Sequence, residues 1–125
     1  MPRNAIQPDG LAPPGPPYSP VVVSGDHVFT AGQIAQDADG NLVGDTIEEQ
    51  TRQVLENLRT CLEAAGSSLD EVVKVLAFLS DLGDFPGYNA VYGEFFSEPY
   101  PARSSVGAAL APGVLVEIEA VARRA

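Results

Sequence analysis

The segment from Val72 to Leu79 constrains the fold most, because seven of its eight residues are apolar and several are β-branched or aromatic. Side chains alternate between the two faces of a strand, so this strand is apolar on both faces and both need cover. Only two segments of the chain have helical spacing, and two helices cover only one face of a sheet. The sequence therefore predicts that another copy of the chain covers the second face, with sites possible at the seams between copies.

The other elements follow from turn residues and hydrophobic spacing. Residues 8–20 hold six of the eleven prolines, so residues 1–20 are predicted to form an extended N-terminal arm. A capping box at Thr46 and Glu49 begins the first helix, and Gly66 ends it. The predicted order is β-β-α-β-α-β-β: strands 21–24 and 27–31, a helix over 47–65, strand 72–79, a helix after Asp84, and strands 104–110 and 114–123. The aromatic residues of the second helix share one face and are predicted to belong to the core, namely Tyr88, Tyr92, Phe95 and Phe96.

Length and composition favour a single domain over residues 1–125, since 45% hydrophobic residues supply a core for a chain of this length. The formal charge is −10, which disfavours nucleic acids and anionic membrane surfaces as partners. No apolar run approaches the roughly 20 residues of a membrane span or the pattern of a signal peptide. The single Cys61 cannot form an internal disulfide, so we expect a cytoplasmic protein.

The candidate chemistry lies on the last two predicted strands and on the residue just before them. The alternation along the last strand places Glu117 and Glu119 on the face opposite an apolar stripe that meets the helices. The same parity, counted back from an inward Val106, predicts that Arg103 and Ser105 also point away from the helices, toward the seam between copies. Arg103 is a candidate for binding a carboxylate with two parallel hydrogen bonds, and a structural salt bridge is the alternative. For Glu117 the alternative is a solvated or ion-paired strand residue.

Other chemistries lack their motifs. The chain has no Walker loop, G-x-G-x-x-G, G-x-S-x-G or Cys/His cluster, so neither a cofactor nor a metal site is predicted. The acidic residues from Asp37 to Asn41 are predicted to form a plain turn, because the glycine position of a calcium loop holds Leu42. Cys61 lies on the apolar stripe of the first helix and is predicted to be buried and unreactive. The spacing of Glu117 and Glu119 is a weak match to a glycosidase carboxylate pair.

Six segments resemble one known family, the RidA (YjgF-type) reactive-intermediate and imine deaminases, and the resemblance runs nearly end to end. The matching segments are Gly15–Ser19, Phe29–Gln33, Glu49–Leu58, Asn89–Tyr92, Pro101–Ser104 and Val116–Ala120. The resemblance implies a chorismate-mutase-like α+β fold and a homotrimer with ligand clefts between subunits. It also implies the hydrolysis of 2-imino acids and enamines such as 2-aminoacrylate to 2-keto acids and ammonia, without cofactor or metal.

Site roles are carried over from the family only where this chain matches its motifs. Arg103 would bind the substrate carboxylate, and Glu117 would hold and deprotonate the attacking water. Tyr18 resembles the tyrosine that lines the neighbouring subunit's cleft, while Asn89 and the backbone around Gly32 match positions that shape the pocket.

Two positions depart from the pattern of the enzyme members, which often carry serine before Gly-Gln and cysteine two residues after the arginine. This chain has Ala31 and Ser105 at those positions. Three alternatives stay open: a non-catalytic member that binds a keto acid, a ribonuclease or translation inhibitor that the negative charge disfavours, and a role on aminoacrylate-type intermediates of pyrimidine breakdown.

Overall fold

The chain folds into one mixed six-stranded sheet with both α-helices on the same face. The computed structural model describes residues 3–124, so positions 1, 2 and 125 of the predicted domain lie outside the described residues. The sheet order is β1-β2-β3-β6-β4-β5, in which β4 and β5 are parallel and every other pair is antiparallel. The elements are β1 Asn4–Ile6, β2 Val21–Ser24, β3 His27–Thr30, α1 Ile47–Ala64, β4 Val72–Leu79, α2 Phe85–Phe95, β5 Ala102–Gly107 and β6 Val116–Arg123.

The predicted α+β class and element order are confirmed, with one strand added. Strand β1 has only three residues and pairs with β2, and a segment so short and exposed carries no alternating pattern. Strand β5 begins and ends earlier than predicted, at Ala102 and Gly107, and β6 begins two residues later, at Val116. The turn before β6 contains Gly113 at φ +79°, which keeps Val114 out of the ladder.

Helix α1 forms where the sequence predicts it. The Thr46 hydroxyl accepts a hydrogen bond from the Glu49 amide at 3.1 Å, and the Glu49 carboxylate accepts one from the Thr46 amide at 3.1 Å. The helix ends at Ala64, just before Gly66 at φ +76°. Cys61 is fully buried, as predicted, and burial raises the pKa of its thiol to about 12.

The two faces of the sheet differ as the apolar pattern predicts. The residues of β6 that face the helices are at most 3% exposed, namely Val116, Ile118, Ala120 and Ala122. On the opposite face, which we call the open face, Leu76 and Phe78 of β4 lie beside Glu119 and Glu117 and are only half-buried. The helices therefore cover one face, and coverage of the open face by another copy stays a prediction.

The predicted orientation of Arg103 and Ser105 was wrong. Strand β5 runs parallel to β4 with Arg103 beside Val75 and Ser105 beside Ala77, and both of these β4 residues are buried under the helices. Arg103 and Ser105 therefore face α2, whereas Val106 lies on the open face and is 42% exposed. Strand β5 is an edge strand with a single large apolar residue, so its own pattern does not reveal which face is inward.

Candidate functional site

The two main candidate residues lie on opposite faces of the sheet. Arg103 faces α2, and Glu117 sits beside Phe78 on the open face. One chain therefore presents two groups of candidate residues. We call them the arginine cluster (Tyr88, Asn89, Tyr92, Arg103 and Ser105) and the glutamate pocket (Tyr18, Ala31, Gly32, Asn57 and Glu117).

Side chains of α2 hold the guanidinium in the arginine cluster. Arg103 Nη1 donates a hydrogen bond of 2.8 Å to Asn89 Oδ1. The guanidinium carbon lies 4.6 Å from the ring centroid of Tyr92 and 5.3 Å from that of Tyr88, which are cation–π distances. Within residues 3–124, no carboxylate oxygen lies within 4.0 Å of an Arg103 nitrogen, so Arg103 forms no salt bridge there. The remaining donors of the planar fork are therefore available to an external anion.

A shallow cavity of about 300 Å³ opens beside this guanidinium. Tyr100, which is 58% exposed, and Pro101 form one wall, while Asn89, Tyr92 and Gly93 of α2 form the other. Helix α2 begins just after Asp84 with Phe85-Pro86, a position where proline's fixed φ favours helix. The cavity thus lies between a helix and an edge strand. Side chains carried by regular elements such as these are positioned firmly.

The glutamate pocket is built from backbone on the other side of the sheet. The amide of Gln33 donates to the Ile118 carbonyl at 2.8 Å, and the Ile118 amide donates back at 3.0 Å, which fixes the segment after β3 against β6. A Cβ on Gly32 would overlap the carboxylate of Glu117 and lie 2.9 Å from its Cδ. With any other residue at position 32, the Glu117 side chain would have to leave its present position. Burial, and then the charge of Glu119, raise the pKa of Glu117.

The pocket is a cavity of about 400 Å³ between the proline-rich arm and the segment after β3. Tyr18, which is 54% exposed, stands on the arm side, and Ala31 and Gly32 stand on the side of the sheet. At the base, the buried amide of Asn57 donates to the carbonyls of Ile34 at 3.0 Å and Gln36 at 2.9 Å. A residue of α1 thus holds the loop that carries the pocket.

The structure brings the predicted residues together in two sets. Tyr18, Ala31 and Gly32 line the pocket with Glu117, whereas Asn89 and Ser105 lie with Arg103. Sequence reasoning missed the roles of three residues. Tyr88 and Tyr92 were interpreted only as core aromatics. Asn57 had a usable signal, since it is a polar residue on the buried, mostly apolar face of α1.

Two further observations concern the part of the chain that the structure describes. Residues 3–124 contain no group of three or more His, Cys, Asp or Glu side chains arranged to hold a metal ion. No helix in the same range is both long enough and apolar enough to cross a membrane.

Comparisons with known proteins agree with one another. The family model described as Endoribonuclease L-PSP matches residues 10–124. A RutC family protein of Pyrococcus horikoshii is 47% identical over 122 residues, which are 96% of this chain and 92% of the relative. RidA from the Antarctic bacterium Psychrobacter has a crystal structure that matches with a TM-score of 0.90 and 39% identity, over 96% of this chain and 98% of that one.

A third match is E. coli TdcF, crystallised with bound serine, at a TM-score of 0.89 and 38% identity over 98% of this chain and 99% of that one. These matches span nearly the whole chain, so the chorismate-mutase-like α+β fold implied by the resemblance is confirmed. The chain belongs to the Endoribonuclease L-PSP family, which is the RidA (YjgF-type) family that its sequence segments resemble.

Proposed function

We propose that this protein hydrolyses reactive 2-imino acids and their enamine tautomers, of the 2-aminoacrylate type, to 2-keto acids and ammonia. The observation that carries the proposal is the Arg103 guanidinium, which Asn89 orients at 2.8 Å while its other donors have no carboxylate partner in residues 3–124. A small substrate with a carboxylate would supply that partner in two parallel hydrogen bonds. Neither cofactor nor metal is required for this chemistry.

A complete site in this proposal needs two chains, because Arg103 and Glu117 face opposite sides of one sheet. Among the strands of residues 3–124, β5 is paired only with β4, so its other edge can approach a neighbour. Apolar side chains on the open face support burial against a second copy, since Phe29 and Val106 are each 42% exposed. We propose a closed homotrimer in which the arginine cluster of one subunit meets the glutamate pocket of the next.

The reaction follows from the two charged groups. Arg103 holds the substrate carboxylate, so that the adjacent imine carbon lies at the mouth of the neighbour's pocket. Glu117 accepts a proton from a water molecule as its oxygen attacks that carbon, which forms a tetrahedral aminoalcohol. That proton passes to the nitrogen and completes the aminoalcohol. Glu117 then takes the proton of the new hydroxyl group and delivers it to the same nitrogen, and the carbon–nitrogen bond breaks to release ammonia and the 2-keto acid. The balance is one imine and one water to one keto acid and one ammonia.

The environment of Glu117 supports its role as the base. Its pKa is raised above the usual carboxyl range, chiefly by burial. A base works best when its pKa approaches the working pH, because it then both stays ionised and accepts a proton readily. A carboxylate in free solution is a weaker base than this one.

The test couples an amino-acid oxidase, which produces imines, to the purified protein and follows imine decay. Wild type is expected to accelerate decay, and Arg103→Ala is expected to abolish the acceleration while the assembly stays folded. Arg103→Lys is the matched control, since it keeps the charge but loses the planar fork, and it should retain only a small part of the activity. Unchanged activity in Arg103→Ala would contradict the proposal.

One observation favours a second candidate function. Ala31 lines the pocket without the hydroxyl that enzyme members of the family often carry there. A non-catalytic member would bind a 2-keto acid through the same Arg103 and turn nothing over. Tight binding of 2-ketobutyrate without acceleration of imine decay across several amino acids would identify this function. Endoribonuclease activity is disfavoured by the charge of −10, and the cytoplasm is the compartment that we propose.

A further inference from the structure

Tyr88 occupies the centre of the arginine cluster, although sequence reasoning assigned it only to the core. It is fully buried on α2, with its ring 5.6 Å from Phe85 at an interplanar angle of 89° and 5.8 Å from Tyr92. A fully buried phenol packed against two other rings has little freedom to reorient, because protein interiors are close-packed. Its hydroxyl is therefore a fixed point to which other groups can be held.

The Tyr88 hydroxyl contacts two groups that project from β5. Arg103 Nη1 donates to it at 3.5 Å, and the Ser105 hydroxyl lies 3.0 Å from it. Arg103 and Ser105 are two residues apart, so both project from the same face of the strand. One buried tyrosine thus links the proposed carboxylate-binding arginine to the serine that stands where enzyme members of the family often carry cysteine.

The hydrogen-bonding capacity of the three groups indicates which of them donates in each contact. A guanidinium can only donate, so the phenol oxygen accepts from Arg103 and its own proton is available to Ser105. When Ser105 Oγ accepts that proton, the serine keeps its own O–H for another acceptor. An anion bound beside Arg103 on the same face of β5 would be an acceptor for the Ser105 O–H.

We infer that Tyr88 is a positioning residue for substrate binding. Its hydroxyl fixes the Arg103 fork and turns the Ser105 hydroxyl into a donor toward the bound carboxylate. This inference rests on the proposed function, because it assigns Tyr88 to the carboxylate-binding half of that site. Tyr88 itself does not contact the substrate, and its effect reaches the carboxylate through the two residues of β5.

The test uses the full-length assembly with Tyr88→Phe, which keeps the ring and removes only the hydroxyl. Two quantities are measured, the KM for the imine and the Kd for 2-ketobutyrate. Both are expected to rise about three- to tenfold while kcat stays within about twofold, because the carboxylate is held equally in the ground state and the transition state. A change in kcat alone, with KM and Kd unchanged, would overturn the inference.

Tyr92→Phe is the matched control for a merely structural effect. It removes the next hydroxyl along the same helix, which is buried and has no hydrogen-bond partner in the described residues. Its KM is expected to change less than that of Tyr88→Phe, and an equal change in both variants would contradict the inference. Should Tyr88→Phe lower Tm so far that it cannot be assayed, Ser105→Ala breaks the same hydrogen bond by removing its other hydroxyl. An unchanged KM in Ser105→Ala would also contradict the inference.

A double-mutant cycle separates the two actions of Tyr88. If the tyrosine acts partly through Ser105, the KM of Tyr88→Phe with Ser105→Ala rises less than the product of the two single changes. Fully multiplicative effects would overturn the link to Ser105. Wild type that neither accelerates imine decay nor binds 2-ketobutyrate would overturn the proposed function and this inference together. Wild type that does both, beside an unaffected Tyr88→Phe, would overturn the role of Tyr88 alone.

Discussion

The arginine cluster and the glutamate pocket hold charges of opposite sign, and they hold them in different ways. Side chains from α2 hold the Arg103 cation between an amide oxygen and aromatic rings, so its position depends on two rigid elements. Backbone and a glycine make the space for Glu117, and burial raises its pKa. Neither charge forms a salt bridge within residues 3–124. The comparison teaches that each half of the candidate site holds a charge without an ion-pair partner among the described residues of its own chain.

The largest expected effect comes from mixing two inactive proteins. Arg103→Ala and Glu117→Gln are each expected to abolish imine hydrolysis. Refolded together in equal amounts, they should regain about one quarter of wild-type activity, because a quarter of head-to-tail seams then pair an intact Arg103 with an intact Glu117. The measurement is the rate of imine decay before and after mixing, with each protein refolded alone as the control. Mixtures without activity would show that both residues must come from one chain.

Gly32→Ala should disable the glutamate pocket while leaving the arginine cluster intact. The added methyl group would overlap the Glu117 carboxylate, so either the side chain or the strand must move. We expect a loss of activity of about 100-fold or more, since small misplacements of a catalytic group are costly. The Kd for 2-ketobutyrate should change much less, because Arg103 is untouched. Gly15→Ala on the proline-rich arm is the control, as its Cβ would meet nothing within 4 Å.

Asn57→Ala should destabilise the protein and loosen the pocket. The substitution leaves the carbonyls of Ile34 and Gln36 without their side-chain donor at a buried site. A cost of about 1–3 kcal/mol in the free energy of unfolding is expected for such unpaired groups. Urea denaturation at fixed protein concentration measures it. Gln53→Ala, which removes only the amide bound to Asn57 Oδ1 at 2.9 Å, should cost less. Equal losses in both variants would contradict the role of the two carbonyls.

The smallest expected effect is a shift in pH dependence. Glu117 must be ionised to accept a proton, so activity falls as the pH drops through its pKa. Glu119→Gln removes the like charge that helps to raise this pKa, so the acid limb of kcat/KM should move to lower pH, by less than about one unit at a screened surface. A limb that moves upward would contradict the assignment of Glu117 as the base.

The raised pKa of Glu117 also affects the stability of the protein. The folded-state pKa of this group is raised, so its contribution to the free energy of unfolding is present at low pH and is lost as the pH rises through that pKa. Glu117→Gln removes this loss and should raise Tm slightly at neutral pH.

Sequence reasoning succeeded where the pattern is local or strongly periodic. The capping box placed the start of α1, the apolar run placed β4, and the alternation along β6 assigned Glu117 to the open face. It failed at β5, because an edge strand with one large apolar residue carries no face signal. The residue pattern named Arg103 and Glu117 as candidates and the resemblance added the other site residues, but parity put Arg103 on the wrong side of the sheet.

By itself, the sequence determined the elements other than β1, the covered and open faces of the sheet, and the family, because hydrophobic period and motif residues are properties of short segments. Only the tertiary structure decided which side chains meet. The parallel pairing of β5 with β4 turns Arg103 toward α2 and brings Tyr88 between Arg103 and Ser105. That register depends on contacts between residues distant in sequence, and no local pattern along β5 encodes it.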